Sequence, residues 1–498
     1  MQNLFFDTRK LDESCREAYG LTEEIMMENA AAALEGAIKE RAEFKPYRNR
    51  VLILCGGGNN GADGYTLARR LRIHYDVVVF ECAEPKSPLC LLQRARAEKC
   101  GTRFFTLEDF TLEFLESAAV IVDCIYGSGF HGELDENVQI LLNDANCVDS
   151  YRIACDVPSG IDLDGNVSHG AFKADLTVSM GALKLCLFQD MAKNYVGEVV
   201  CADLGVGRRL FENSSNFPLK KANLLEESDM MLPHRSDFFV NKGNFGHLAV
   251  AYGEKTGAAK IAGRAALNFG AGLVTLVDLE NPEPDFSSVS EELMTSTSIP
   301  SNVSAIALGM GLGRDEKSKE RIQKYFDFLA ANKEIPCLID ADVFYFEKLA
   351  DFLAERCRKV VLTPHPKEFQ SLLKICGFGE YSVDDCVRKR ADLIEGFCKK
   401  YPKCVLLVKG ANPMIGYFDG RKYNLYVNSY GRPSLAKAGS GDVLSGLVAA
   451  LLSQKYSCID AVASASLAHA LASRRVECDY ALTPLKLIDC VAGLPAKA

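Results

Sequence analysis

Three kinds of residue pattern in this chain suit chemistry: glycine-rich turns, single acidic residues at strand ends, and one run of small residues that opens a helix. The last is SLAKAGSGDVLSGLVAALLSQ (434–454), where GSG precedes an apolar helix and Asp442 falls in its first turn. Successive backbone N–H groups at such an N-terminus make an anion hole for charge developing on phosphate. A carboxylate beside it can take the proton of a hydroxyl that attacks phosphorus. The plainer alternative is a well-capped helix with a tight glycine entry, but GSGD with small residues on both sides is more than a cap needs.

Other turns of the second half share its character. VLLVKGANPMIG (405–416) ends a strand in Lys409-Gly410, where a lysine can meet a nucleotide phosphate or be solvated. VLTPHPKEF (361–369) places His365 between two prolines, in a structural or a catalytic role. LIDADVF (338–344) gives Asp340 and Asp342 at another strand end. GMGLGRDE (309–316) adds a glycine turn and KTGAAKIAGRAALNFGAG (255–272) a Gly-Ala helix start.

The first half has its own set. CGGGNNGADG (55–64) sits between a strand and a helix and offers backbone N–H groups to a phosphate. It is neither the dinucleotide fingerprint nor the P-loop. The alternative is an ordinary β-to-α turn with Asp63 as helix cap. VDCIYGSGFHGEL (122–134) ends a strand in Asp123, and ACDVPSGIDLDGN (154–166) ends one in Asp156. Strand ends carrying Asn, Asp and Asp, each followed by Gly, converge on one rim. Such oxygens suit a hard or a monovalent cation, and Asp156 also suits general acid/base work.

These turns need a scaffold of alternating strands and helices. Apolar runs predict strands at 51–55, 77–81, 119–123, 152–156, 175–179 and 198–202. Helical patterns lie near 63–74, 86–99 and 135–146, after a helical prelude at about 10–40. In the second half strands are expected at 247–251, 273–277, 304–308, 336–340, 359–363, 404–408 and 413–418. Helices are expected near 256–270, 315–330, 343–355, 383–400, 441–454 and within 457–494. Alternation of this kind predicts two α/β domains with parallel sheets. The Asn-, Ser- and Pro-containing stretch 212–221 reads as the linker.

With 498 residues, 48% hydrophobic and 25% charged, the chain is an ordinary globular one of several domains. Its net charge of −9 argues against a nucleic-acid coat or a membrane-surface binder. None of the 19 cysteines are spaced C-x-x-C, so zinc ribbons and thioredoxin-like motifs are not indicated. Reduced, buried thiols in a cytoplasmic protein are expected. There is no signal-peptide pattern at the start and no apolar run long enough to span a membrane.

NNGADG, DCIYGSGFHGEL, DVPSGID and ADLTVSMGALKLCLF (174–188) together resemble the NAD(P)H-hydrate epimerase domain, across roughly 1–210. The resemblance implies a Rossmann-like doubly wound sheet. It implies contacts to the damaged nicotinamide nucleotide from Asn59, Asn60, Gly61, Ala62 and Asp63, from Gly127, Ser128, Gly129, Phe130, His131, Gly132 and Glu133, and from Asp156. It places a potassium site on Asn60, Asp123 and Ser159. The family usually has Gly where this chain has Ala62, whose methyl group would crowd the loop unless φ is negative and the side chain points away.

KGNFGHLAVAYG (242–253), GAA, EELM (291–294), GMGLG, DAD, TPHPKEF, KGA and GSGD occur, across about 222–498, in the order found in the ADP-dependent NAD(P)H-hydrate dehydratases of the ribokinase-like fold. This resemblance implies a C-terminal α/β sandwich with hydrate contacts at Ala258, Gly311, His365 and Asp442. Nucleotide contacts fall on Lys409, Gly410, Ala411, Asn412 and Pro413 and on Gly441. The family commonly reads T-G-G-S-G-D where this chain has Lys437-Ala438-Gly439-Ser440-Gly441-Asp442. The domains expected are 1–214 and 222–498.

The activity implied is repair of hydrated NADH and NADPH. Asp442 would orient or deprotonate the hydroxyl for attack on ADP, with Mg²⁺ holding charge, and Asp156 would serve the epimerase. The implied partners are small molecules, with no nucleic acid and no membrane, in a homo-oligomer. Two rivals differ in class. A ribokinase-type small-molecule kinase would release a stable phosphorylated product. A binding module would show neither a bound nucleotide nor a potassium effect.

Overall fold

A computed structural model describes residues 1–44, 48–215, 219–281, 283–356 and 358–495. Residues 216–218 of the expected linker lie outside the described residues. The chain divides into two compact units, Asn3–Ala222 and Asn223–Ala498 with Met1–Gln2.

In the first unit the run VLILC is buried on both sides, as an interior strand of a parallel sheet should be. Val51 and Ile53 join one core cluster with Val77, Val79, Val120 and Val122. Leu52 and Leu54 join a second with Val78, Phe80 and Ile121. The period-two alternation thus fills both faces. The sheet order is Arg103–Thr106, Asp76–Glu81, Arg50–Cys55, Ala118–Cys124, Tyr151–Cys155, Leu176–Met180, Glu198–Ala202, all parallel. Chain order reverses between Arg50–Cys55 and Ala118–Cys124. Ligand crevices open at such a switch point, beyond the carboxyl ends of the strands. Both glycine loops leave the sheet there.

In the second unit Met294–Ser296, Leu273–Val277, His247–Ala251, Ala305–Leu308, Cys337–Ile339, Val360–Leu362 and Val405–Val408 run parallel. Met414–Phe418 and Tyr423–Val427 then continue the sheet antiparallel. Helix Ser440–Ser453 is buried along almost its whole length. Its residues Val443, Leu447 and Val448 share one core cluster with Ala262 and Ala265 of helix Thr256–Asn268 and with sheet residues Leu248 and Ala307.

Several expectations are corrected in detail. The helical prelude is two helices, Arg9–Tyr19 and Glu23–Arg41, parted where Gly20 takes a left-handed conformation (φ 66°). A short strand, Gln2–Phe5, precedes them and pairs with Leu183–Lys184. The expected helix 383–400 is broken at Lys389 into Val383–Arg388 and Arg390–Lys400. The 343–355 pattern resolves into a 3₁₀ turn, Ala341–Tyr345, and helix Leu349–Glu355. A helix not foreseen, Pro366–Ile375, follows the TPHP turn.

Candidate functional site

The first unit holds a cavity of about 510 Å³ at its switch point. Helix Asn59–Leu71 begins directly after the first glycine loop, with Gly58 as its N-cap. Its first residues, Asn59, Asn60 and Gly61, have no intrahelical acceptor for their N–H groups. Asn59, Asn60 and Asp63 line the cavity, as do Gly127, Ser128, Gly129 and Phe130 of the second loop and Asp156. Gly61, Ala62, His131, Gly132 and Glu133 are not among the lining residues.

Asp63 is not a helix cap. It lies within the helix and accepts from Cys155 Sγ at 3.9 Å. Burial, reinforced by Asp156 and Asp12, pushes its carboxyl well above the usual range, which favours the protonated form. Ala62 is fully buried in the core with ordinary helical backbone, and its N–H is bonded to Gly58 O at 3.1 Å. Its methyl group therefore points away from the loop. Gly61 is a different case, because a Cβ there would lie 1.9 Å from Gly56 O. We expect Gly61→Ala to destabilise this unit by about 1–3 kcal/mol through overpacking. A lowered midpoint of its denaturant transition checks this.

Asp156 is buried and has φ 70°, a left-handed conformation uncommon outside glycine and asparagine. Its Oδ2 accepts from Ser128 N at 3.2 Å, and its Oδ1 from Met180 N at 3.1 Å and Lys184 Nζ at 2.5 Å. Asn60 Oδ1 and Asp156 Oδ2 each lie 3.2 Å from the place a Gly127 Cβ would take, so the two loops converge on that glycine.

Asp123 sits beneath them, fully buried. It accepts from Ser159 N and Ser159 Oγ at 2.7 Å and from Ile125 N at 3.1 Å, all neutral donors. Burial raises its pKa to about 6 although these hydrogen bonds pull it down. Among the described residues no cationic side chain pairs with it, and the amide nitrogen of Asn60 is buried without an acceptor. A buried carboxylate lacking a counter-charge, with the Ser159 hydroxyl against it, fits a monovalent cation. No cluster of three His, Cys, Asp or Glu side chains suited to a metal occurs among the described residues.

Residues from the N-terminal helices also line this cavity, among them Arg9, Asp12, Met26 and Met27. Burial raises Asp12 to about 7, against the pull of Lys184. No motif of the sequence singles out Asp12, which lies in a helix of mixed charge. Lys184 lay hidden in an apolar run.

The second unit gathers its chemistry at the carboxyl ends of its parallel strands. Gly439 takes φ 88° as the N-cap of helix Ser440–Ser453, and Asp442 lies in that helix's first turn. The Asp442 carboxylate has no hydrogen-bond or ion-pair partner among the described residues. Burial, then the negative charge of Asp340, raises it to about 6 against the pull of Lys409. Lys409 Nζ holds both oxygens of Asp340, at 2.7 and 2.9 Å, and Ser445 Oγ donates to Asp340 at 2.5 Å. A Cβ on Gly441 would stand 3.4 Å from Lys409 Nζ, so this ammonium overlooks the GSG amides.

Backbone bonds draw the other motifs to the same rim. Lys409 N donates to Pro364 O at 2.8 Å, which ties the KGANP turn (409–413) to the TPHP turn. Gly410 and Ala411 are exposed there, Pro413 is partly so, and Asn412 is buried. Lys255 N donates to Gly311 O at 2.8 Å, which seats the helix start carrying Ala258 against the GMGLG turn. Gly311 has φ 68°.

His365 caps helix Pro366–Ile375. Its Nδ1 accepts from Lys367 N and Glu368 N at 3.2 and 3.3 Å, so Nε2 carries the proton and faces Glu368 Oε1 at 3.1 Å. With both nitrogens engaged, the half-exposed ring has its face left for a ligand. Under the GSGD turn, His469 Nε2 lies 3.0 Å from Ser440 O and 3.1 Å from Ser440 Oγ, and burial lowers its pKa to about 4. Neutral His469 therefore donates to Ser440 O. Lys437 Nζ donates to Tyr480 O at 2.6 Å.

Residues 248–492 match the family described as NAD(P)H-hydrate dehydratase, and residues 23–186 match that described as YjeF-related protein N-terminus. The bifunctional NAD(P)H-hydrate repair enzyme Nnr of Helicobacter pylori is 42% identical, over 99% of this chain and all of that one. The enzyme of the same name from Coxiella burnetii is 31% identical, over 89% and 88%. Among solved structures, a ribokinase-like superfamily protein from Enterococcus faecalis aligns at 23% identity and a TM-score of 0.46, over 56% of this chain and 96% of that one. The ADP/ATP-dependent NAD(P)H-hydrate dehydratase of Bacillus subtilis, co-crystallised with ATP and Mg²⁺, aligns at 25% identity and a TM-score of 0.42, over 52% and 92%. At 42% identity from end to end, this chain belongs to the family of bifunctional NAD(P)H-hydrate repair enzymes.

Proposed function

We propose that this chain returns hydrated NADH and NADPH to use in two steps. The domain 1–214 interconverts the R and S hydrates, and the domain 222–498 dehydrates the S hydrate at the expense of ADP, releasing AMP and phosphate. The observation that carries the reading is Asp442, a carboxylate without a partner among the described residues, in the first turn of a GSG-opened helix beside the Lys409–Asp340 pair.

In the second step the substrate hydroxyl gives its proton to Asp442 and its oxygen bonds to the terminal phosphorus of ADP. The bond from that phosphorus to the bridging oxygen breaks, and AMP leaves. Loss of a ring proton from the neighbouring carbon and of phosphate from the ester carbon then restores the dihydropyridine. The amides of Ser440 and Gly441 face the phosphoryl group, and Lys409 reaches the phosphates once it turns from Asp340. Ala258, Gly311 and the ring face of His365 border the nicotinamide, while Gly410 to Pro413 border the nucleotide. Mg²⁺ fits here as a nucleotide-borne ion: Asp340, Asp342 and Glu368 are already bonded within the protein, which leaves Asp442 without a partner among the described residues. It would supply charge neutralisation on the phosphates.

In the first step the two glycine loops bind the nucleotide, with Asp63 held protonated by burial and Asp156 held by Lys184 as the group that exchanges a proton with the substrate. Potassium held by Asn60, Asp123 and Ser159 would neutralise Asp123 and order both loops. The same reading makes the protein a cytoplasmic homo-oligomer, in keeping with described cysteines that are all free thiols. Among the described residues no helix is long and apolar enough to cross a membrane.

The test is one incubation of purified protein with mixed hydrate isomers, ADP, Mg²⁺ and K⁺, followed by chromatography of the nucleotides. Both isomers should disappear faster than they interconvert spontaneously, with AMP equal to the reduced coenzyme regained. A stable phosphorylated product, or no AMP, sinks the reading. Choline in place of K⁺ at equal ionic strength should slow loss of the R isomer and leave that of the S isomer unchanged.

A further inference from the structure

Lys184 is one of the largest fully buried side chains in the molecule, and the proposed chemistry gives it no task. It ends the two-residue strand Leu183–Lys184 inside the run GALKLCLF. Its ammonium has three hydrogens and three acceptors: Asp156 Oδ1 at 2.5 Å, Ser179 Oγ at 3.4 Å and Met180 O at 3.4 Å. No hydrogen is left for a ligand, and the side chain is only 1% exposed. Whatever Lys184 does to a substrate, it does through Asp156.

Asp156 needs such a partner. Its backbone is left-handed, and Asp12 and Asp63 stand near it as further carboxyls. Lys184 and Met180 N together hold Oδ1. Among the described residues Oδ2 has only Ser128 N, and it lies beside Gly127, 3.2 Å from where a Cβ there would stand, with both Gly127 and Ser128 lining the cavity. Burial works against the charge of Lys184, yet Asp156 outweighs it and keeps the lysine protonated.

We propose that Lys184 is a positioning residue of the epimerase site: it clamps Asp156 Oδ1 so that Oδ2 alone meets the substrate. This rests on the epimerase reading above. A lysine present only for stability would set the amount of folded enzyme. A positioning lysine sets turnover in the enzyme that is folded.

The experiment uses full-length Lys184→Met and Lys184→Ala beside the unaltered protein, with epimerisation followed by chromatography of the two isomers. Activities are referred to the folded fraction of the first unit, measured by its unfolding transition, with dehydration of the S isomer as the measure of total enzyme. Lys184→Met should lose about 10²-fold in kcat, the scale of one acid–base contribution, with KM within about twofold. Lys184→Ala should regain about tenfold of its loss with propylammonium and nothing with propanol, because only the cation restores the clamp. Unchanged kcat per folded molecule in Lys184→Met, or equal rescue by propanol, overturns the proposal. If neither variant folds in its first unit, stability is the role and the proposal is likewise overturned. If the unaltered protein does not interconvert the isomers, the epimerase reading itself has failed, a result separable from all of these.

Discussion

Asp442→Asn should lower the rate of dehydration by about 10²–10⁴-fold, the range of a lost general base, while epimerisation continues at its former rate. The substitution keeps the size of the side chain and removes only the ability to take a proton. Among the described residues Asp442 has no hydrogen-bond partner to lose, so the helix entry at Gly439 should be unchanged. Recovery of the absorbance of the reduced nicotinamide measures the first effect, and isomer ratios measure the second. Dehydration at the original rate would remove Asp442 from the mechanism.

The same residue makes two predictions of known sign. A base must be ionised to act, and burial with Asp340 nearby sets Asp442 at about 6. The rate should therefore rise with pH through about 6 and then level off. The folded pKa lies above the unfolded value of 3.8, so the ionised carboxylate disfavours the folded state. That penalty is absent below 3.8, grows between 3.8 and about 6, and is complete above it. Asparagine escapes it. Discounted for the partial exposure of Asp442, Asp442→Asn should be more stable than the unaltered protein by about 1–2 kcal/mol at neutral pH. Lost activity with gained stability is a pair of results that structural damage does not produce.

What was legible in the sequence follows from how strongly each feature is dictated locally. The interior strands are apolar on both faces and stand out as short runs such as VLILC. The glycine loops stand out because close approach excludes a side chain, as at Gly61. Helix Pro366–Ile375 did not, because prolines on both sides of His365 read as a turn. Pro366 is in fact the first helical residue, where its missing N–H is no loss, and histidine stands in for the usual serine or aspartate cap. The pairings were beyond reach for a different reason. Lys409 and Asp340 are 69 residues apart, and Lys184 and Asp156 are 28 apart. Nothing local to ALKLCLF distinguishes a buried lysine that pairs from one at the rim of a strand. Only the parallel arrangement of Tyr151–Cys155 beside Leu176–Met180 brings the two together.

Asp156→Asn should reduce epimerisation by about 10²–10⁴-fold and leave dehydration of the S isomer intact, so that mixed hydrate is consumed only as far as spontaneous interconversion allows. Asparagine is the informative substitution because it tolerates the left-handed backbone at φ 70°, which alanine does not. Its oxygen can still accept from Met180 N and Lys184 Nζ, but its NH₂ then faces the N–H of Ser128, two donors in opposition. Lys184 is meanwhile left as a buried cation without its counter-charge, which typically destabilises by about 3–5 kcal/mol. Asp156→Asn alone therefore confounds lost chemistry with lost folding. The double variant Asp156→Asn/Lys184→Met separates them, because it buries a neutral pair of similar shape and should recover most of the stability. A neutral amide cannot take up a proton, so the double variant should remain as inactive as the single one. Epimerase activity returning together with stability would show that Asp156 holds the loop in place rather than exchanging a proton with the substrate.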